Sequence, residues 1–333
     1  MSDILRCAVI GAGAWGTAIA DRLARNGHDT LLWAREADVV DAINSHHENT
    51  RFLAGAPLGH TLRATSDMNE ALRGARIVIY AAPSHVLRSV VAAGRAFIEK
   101  NAVLGVASKG IERESLMLMT ELVASETAND VVALSGPSFA AEVAAGQPTA
   151  IVAAGRNLEA AHAIQHALSS PAFRVYTTDD VTGVELGGSL KNVMAVATGI
   201  LDGLGLGYNP RAALITRGLA EMTRLGVALG ARAETFAGLA GLGDLVLTCT
   251  GALSRNRAVG VAVGQGLTLE QALSGKESVA EGVVTTQSAK ALAGRVGVAM
   301  PIVEATHRIL FDGQPPREAI VELMGRELRS ERD

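Results

Sequence analysis

The stretch Gly11-Ala12-Gly13-Ala14-Trp15-Gly16 constrains this chain more than any other. It follows the short apolar run Cys7-Ala8-Val9-Ile10, which reads as a buried strand. It leads into residues 17–27, which read as an amphipathic helix closed by Gly27. Glycines spaced G-x-G-x-x-G at a strand-to-helix turn do three separate things. Gly11 permits the tight turn, Gly13 lets a pyrophosphate approach the backbone, and Gly16 lets the helix pack close to the strand. Free N–H groups at the helix start then face the phosphates. The spacing alone also serves ordinary turns. With a strand before it and a helix after it, the motif points to a dinucleotide.

The rest of the first half repeats the same alternation. Short apolar runs at 30–33, 76–81, 102–107, 131–135, 150–154 and 173–176 read as strands, with helical patterns between most of them. Strands alternating with helices predict a mostly parallel, doubly wound sheet whose ligands sit beyond the carboxyl ends of its strands. After residue 180 no strand pattern follows. Helices read at 181–201, 254–264, 269–273, 283–296, 301–310 and 316–328. Another has Asn209 as N-cap and Pro210 at its first position, and runs to 229 with Gly230 as its stop. The expected fold class is therefore α/β, in two domains: a dinucleotide-binding sheet domain over 1–180 and an all-helical, substrate-binding domain over 181–333.

Composition narrows the class. Of the 333 residues 48% are hydrophobic but only 3% aromatic, so small aliphatic residues carry the core and helices can pack closely. A formal charge of −4 gives no electrostatic case for nucleic acid or an anionic membrane. The most apolar stretch, 193–201, is too short to span a bilayer, so no stable membrane insertion is expected. Cys7 and Cys249 lie far apart in apolar surroundings and read as buried, reduced thiols. The N-terminus enters a strand almost at once, with no signal peptide visible. A soluble, cytoplasmic protein is the expectation, and the apolar helical half suits a homodimer.

Several polar residues stand where the pattern favours apolar ones. At the tip of the second strand, Arg35 occupies the place of the acid that would bind a ribose 2′-hydroxyl. This favours the 2′-phosphate of NADP over NAD, the alternative being a solvated pair with Glu36. Lys109 lies just beyond a strand, as a solvated end or a substrate contact. Gly136-Pro137-Ser138 follows the next strand, where Ser138 reads as a helix cap or an anion contact. Lys191 interrupts a helix that looks buried, and Gly187-Gly188 allow close approach. Such a lysine needs a partner or a lowered pKa; it is either an acid/base group or half of a structural pair. Asp244 ends a glycine-dense run and could cap the next helix. Ser254-Arg255-Asn256-Arg257 opens a helix whose N-terminus and forked guanidinium suit a dianion, or else forms a solvated basic turn. Glu281 is either a ribose or amide contact or a first-turn helix acid. His46-His47 lies in a polar, turn-like region without an acid or cysteine cluster at metal-ligand spacing.

These segments, in this order and spacing, closely resemble the bacterial-type NAD(P)-dependent glycerol-3-phosphate dehydrogenase family over nearly the whole chain. The segments are Gly11–Ala18, Ser108-Lys109-Gly110, Gly136–Ala140, Glu185–Asn192, Gly241–Leu245 and Ser254–Arg257. The resemblance implies a Rossmann-type domain and a helical domain like that of 6-phosphogluconate dehydrogenase. It implies reversible reduction of dihydroxyacetone phosphate to sn-glycerol 3-phosphate for glycerophospholipid synthesis, with NADP or NAD and NADPH favoured. Carried onto matching positions, Lys191 is the general acid/base. Lys109, Gly136, Ser138, Lys191, Asp244, Ser254, Arg255 and Asn256 meet the substrate. Gly11, Gly13, Ala14, Trp15, Gly16, Arg35, Lys109, Ala140, Arg255, Val279 and Glu281 meet the cofactor. Ala14 stands where many relatives have serine, which removes a hydroxyl but keeps the backbone donor. Two rivals stand beside this reading. One is a dehydrogenase for an unphosphorylated hydroxy acid; the other is a nicotinamide-sensing protein without turnover.

Overall fold

The computed structural model describes residues 4–274, 280–328 and 330. Among these, eight strands form one sheet: β1 (Arg6–Ile10), β2 (Asp29–Trp33), β3 (Arg63–Thr65), β4 (Ile77–Tyr80), β5 (Val103–Val106), β6 (Val131–Ser135), β7 (Thr149–Gly155) and β8 (Phe173–Thr178). Their order is β3-β2-β1-β4-β5-β6-β7-β8. Neighbours are parallel throughout except for the antiparallel β6–β7 pair. The first six strands have the order of doubly wound dinucleotide-binding sheets, with the switch point between β1 and β4. The glycine turn follows β1 and so opens at that point.

The central strands are apolar throughout because both faces are covered. Along β1, Cys7 and Val9 join one core while Ala8 and Ile10 join the other. Along β4, Ile77 and Ile79 divide from Val78 and Tyr80 in the same way. β3 was not legible in the sequence: it is three residues long, and its sequence Arg-Ala-Thr has no apolar run. The reversal of β7 was not legible either, because an apolar run carries no direction.

The last strand ends at Thr178, and the helix Val181–Gly203 begins three residues later. Every residue from 183 to 201 in this helix is buried. A helix apolar all round must be surrounded, and this one packs against the helices Tyr208–Ala228, Asp244–Thr250, Arg255–Gly264 and Glu281–Val296 and against β6. Among the described residues no single helix is long and apolar enough to cross a membrane. Cys7 and Cys249 are both free and buried.

Several helix boundaries differ from the sequence expectation, three of them for a readable reason. The first helix begins at Ala14, three residues early, with Gly13 as N-cap. The Tyr208–Ala228 helix is capped by Gly207, so Asn209 and Pro210 lie inside its first turn. First-turn N–H groups have no intrahelical acceptor, so proline is tolerated there and does not mark one position. The last helix ends at Met324 with Gly325 as its C-cap, short of residue 328.

In the helical half, glycines cross at close range. Gly199 and Gly203 on the buried helix meet Gly260 and Gly264 on Arg255–Gly264. A Cβ on Gly260 would overlap the Val196 carbonyl oxygen and lie 3.0 Å from the Gly199 Cα. This crossing sets the depth at which the Arg255 end of its helix sits. In an open helix Gly→Ala stabilises by roughly 0.5–1 kcal/mol. Here backbone overlap should reverse the sign, so Gly260→Ala is expected to lose about 1–3 kcal/mol in urea unfolding. A gain in stability would contradict the crossing.

Candidate active site

The glycine turn has the geometry that its spacing predicts. Gly11 has φ +117° and donates its N–H to the Trp33 carbonyl at 3.1 Å. A Cβ at Gly16 would overlap the Gly11 carbonyl oxygen, so no larger residue lets the helix sit this close. Gly13 borders open space, where an added Cβ would meet nothing within 4 Å. It is the N-cap of Ala14–Arg25 and has no side chain to cap the first-turn N–H groups. Trp15 is partly buried, and its indole N–H is buried without a partner. An open cradle and uncapped N–H donors fit a dinucleotide pyrophosphate. Arg35, at the tip of β2, is 81% exposed and pairs with Glu36 at 2.8 Å.

Beyond the carboxyl ends of β5 and β6 the sheet meets the helical half. Lys109 follows β5. Its Nζ donates to Asp244 Oδ2 at 2.7 Å and to the Gly136 carbonyl at 3.5 Å. Lys191, on the buried helix, donates to Asp244 Oδ1 at 2.5 Å and to Thr248 Oγ1 at 2.9 Å. The fully buried Asp244 carboxylate therefore bridges two ammonium groups from opposite halves of the chain. It does not cap its helix: it is the first residue of Asp244–Thr250, and Gly243 is the cap. Gly188 lets the buried helix approach, because a Cβ there would overlap Ser135 Oγ and lie 3.6 Å from Lys109 Cδ.

Burial pulls the Lys191 ammonium from its ordinary 10.5 down to about 8. Asp244 opposes that fall, and the charge of Lys109 adds to it. Burial also works to raise the Asp244 carboxyl, but the two ammonium groups outweigh it and hold it below its ordinary value. Lys191 is thus a lysine able to exchange a proton near neutral pH.

The other candidates surround this pair. Ser138 does not cap the helix Ala140–Ala144: Phe139 is the N-cap, and Ser138 Oγ donates to the Gly136 carbonyl at 2.9 Å. The Ser138 side chain turns back because that carbonyl lies two residues away. Ala140 is the first residue of that helix. Ser254 caps Arg255–Gly264 by accepting from the Arg257 N–H at 3.2 Å. Asn256 donates to Asn192 Oδ1 and accepts from the Gly282 N–H, both at 2.9 Å. Arg257 Nε pairs with Asp202 Oδ2 at 2.7 Å, which ties the same helix end to the buried helix. Arg255 itself is exposed, and among the described residues its side chain makes no hydrogen bond or ion pair. Glu281 accepts from Ser84 N and Oγ, at 3.1 and 2.5 Å, and so joins its helix to the loop after β4. Burial raises its carboxyl, while Ser84 and the charges of His85 and Arg255 oppose the rise. Val279 lies outside the described residues. His47 packs its ring edge-on against His60, and among the described residues no group of three His, Cys, Asp or Glu side chains could hold a metal.

Sequence reasoning missed Thr248, Ser84 and Asn49. Thr248 had a readable signal, since it stands four residues after Asp244 on one helix face. Ser84 had none, because its partner is 197 residues away.

A doubly wound sheet with an uncapped glycine turn at its switch point, and a buried lysine beyond the carboxyl ends of its strands, has the arrangement of a dinucleotide-dependent oxidoreductase. The chain belongs to the NAD-dependent glycerol-3-phosphate dehydrogenase family. The family's N-terminal pattern matches residues 6–161, and its C-terminal pattern matches residues 180–321. Glycerol-3-phosphate dehydrogenase [NAD(P)+] of Geobacter sp. (strain M21) is 52% identical over 330 residues, covering 98% of each chain. That of Geobacter sulfurreducens is 52% identical over 331 residues, covering 98% of this chain and 99% of its own. The crystal structure of glycerol-3-phosphate dehydrogenase from Coxiella burnetii superposes with a TM-score of 0.93 at 42% identity, covering 97% of this chain and 99% of that one. A ketopantoate reductase from Ralstonia eutropha, at 17% identity and TM-score 0.60, shares the fold alone.

Asp244→Asn removes the only carboxylate described against Lys191 and leaves a buried ammonium uncompensated. The expected loss is about 3–5 kcal/mol of stability in urea unfolding at pH 6. It should shrink as pH rises, because a neutral amine needs no counter-charge. A loss that does not change with pH would contradict this account of the pair.

Proposed function

We propose that Lys191 is the proton donor of an NAD(P)-dependent carbonyl reduction, and that Lys109, Gly136, Ser138, Asp244, Ser254, Arg255 and Asn256 build the substrate site around it. The chain reversibly reduces dihydroxyacetone phosphate to glycerol 3-phosphate, with NAD or NADP as cofactor. What carries the residue assignment is the buried Lys191, poised at about 8 between Asp244 and Thr248.

When bound, the nicotinamide supplies the hydride. The chain supplies position, field and proton. As negative charge builds on the substrate carbonyl oxygen, the Lys191 ammonium stabilises it and delivers the proton; in the reverse direction the neutral amine accepts it. Asp244 orients both lysines. Two ammonium groups against one carboxylate leave surplus positive charge, which suits an oxyanion and a phosphate ester. Arg255 and the N–H groups at the start of its helix grip the phosphate, with that helix end shaped by Ser254 and Asn256. Gripping the remote phosphate converts binding energy into orientation of the carbonyl.

Gly11, Gly13, Ala14, Trp15, Gly16, Lys109, Ala140, Arg255 and Glu281 hold the cofactor. Arg35, mostly exposed at the β2 tip, faces the 2′-phosphate of NADPH. Residues up to 180 carry the dinucleotide and those from 181 carry the substrate. The product is the sn enantiomer and feeds glycerophospholipid synthesis. The enzyme works in the cytoplasm as a homodimer, with no nucleic-acid partner.

Absorbance at the NAD(P)H band tests this reading. Turnover is expected with dihydroxyacetone phosphate and little with unphosphorylated dihydroxyacetone, with NADPH ahead of NADH. Losing a charged hydrogen bond is worth roughly 1.5–3 kcal/mol, so Arg255→Ala should raise the KM for the phosphate ester by about tenfold or more. Equal turnover on both substrates, or an unchanged KM, would remove Arg255 from the phosphate grip.

A further inference from the structure

The loop between the helix Ala37–His46 and β3 carries an asparagine that no sequence pattern singles out. Asn49 is completely buried. Its Nδ2 donates to the Ala12 carbonyl at 2.8 Å and to Thr17 Oγ1 at 2.8 Å. Its Oδ1 accepts from the Phe52 N–H at 3.0 Å. These partners fix which end of the amide is which, since a carbonyl can only accept and a backbone N–H can only donate. Thr17 Oγ1 in turn donates to the Ala12 carbonyl at 3.2 Å. The three groups close a buried triangle on the middle residue of Gly11-Ala12-Gly13.

The triangle has a consequence for Gly13. The Ala12–Gly13 peptide is trans, as is every peptide bond described. In a trans peptide the C=O and the following N–H point in opposite directions. Holding the Ala12 carbonyl toward Asn49 therefore turns the Gly13 N–H away from Asn49. Among the described residues nothing accepts from that N–H, and Gly13 borders open space. Gly13, whose φ turns with this peptide, would otherwise let it rotate at little cost.

Asn49 is itself firmly placed. Its loop is fastened to the first helix at two further points: the Gly59 N–H donates to Asp21 Oδ1 at 2.6 Å, and Arg25 donates to the Pro57 carbonyl at 2.8 Å. Leu58 N closes the loop onto the His47 carbonyl at 2.8 Å.

We infer that Asn49 is a positioning residue for cofactor binding, which locks the Ala12–Gly13 peptide so that the Gly13 N–H faces the dinucleotide phosphates. The inference rests on the dinucleotide reading of the glycine turn. Asn49→Leu keeps the size of the side chain and adds no charge, and Thr17→Val removes one corner of the triangle while leaving Asn49. NADPH affinity is read by tryptophan fluorescence, followed by steady-state kinetics with dihydroxyacetone phosphate and thermal unfolding. Losing one phosphate donor should raise the NADPH Kd about tenfold in Asn49→Leu and about threefold in Thr17→Val. At saturating cofactor, kcat and the KM for dihydroxyacetone phosphate should stay within about twofold of wild type, because the substrate site is untouched. An unchanged Kd in a folded Asn49→Leu overturns the inference, as do kcat and substrate KM moving as far as the Kd. If Asn49→Leu does not fold, Thr17→Val decides by the same criteria. Wild-type protein that binds neither NADPH nor NADH would overturn the dinucleotide reading as well, whereas equal binding by wild type and variant would remove only Asn49.

Discussion

The Asp244 carboxylate, fully buried between the ammonium groups of Lys109 and Lys191, is the contact on which the rest depends. A charge taken out of water is expensive unless it is paired and hydrogen-bonded. Here one acid serves two bases, one carried by the sheet and one by the buried helix. Burial pulls Lys191 down to about 8, where the proton can leave, while Asp244 works to keep it charged. The same contact closes the two halves of the chain onto each other at the carboxyl edge of the sheet, where a doubly wound fold binds its ligands.

Other buried acids repeat the device at a smaller scale. Glu185, two turns before Lys191, accepts from Thr120 N at 2.8 Å and from the Thr120 hydroxyl, which joins the buried helix to Met119–Glu126 on the sheet side. Glu281 reaches the loop after β4 through Ser84. Asp202 holds Arg257 and Arg211 at the far end of the buried helix. Burial pushes the Glu185 carboxyl up to about 7 despite the Thr120 hydrogen bonds, so this tie is partly protonated near neutrality. Each acid meets N–H, O–H or guanidinium donors from another segment: Glu185 ties the buried helix to the sheet side, Glu281 ties its own helix to the loop after β4, and Asp202 ties the buried helix to two neighbouring helices. The glycine crossing with Arg255–Gly264 fixes it from the other side.

What the sequence made legible is what local chemistry controls. The glycine turn, most strands and the buried helix follow from apolar periodicity and from residues with special backbone freedom. Lys191 stood out because a charge interrupted an apolar helix. The strand Arg63–Thr65 was silent because its residues carry no apolar pattern and pairing with β2 alone makes it a strand. Asp244 read as a helix cap because a carboxylate after glycines usually is one; its two lysine partners lie 135 and 53 residues away. Ser138 read as a cap for the same local reason. Asn49 was silent because its partners, Ala12 and Thr17, are meaningful only once the loop has folded back over the first helix. Local propensity gives the elements, whereas long-range polar pairs give the site.

The most direct test of Lys191 as proton donor is the pH dependence of kcat/KM for dihydroxyacetone phosphate reduction, which reports the free enzyme. Reduction needs the ammonium form, so kcat/KM should be level below about pH 8 and fall roughly tenfold per unit above it. Oxidation of glycerol 3-phosphate needs the neutral amine and should rise toward a plateau over the same range. Lys191→Ala should abolish both reactions while NADPH still binds. Turnover near wild type in Lys191→Ala, with the same break near pH 8, would contradict the account.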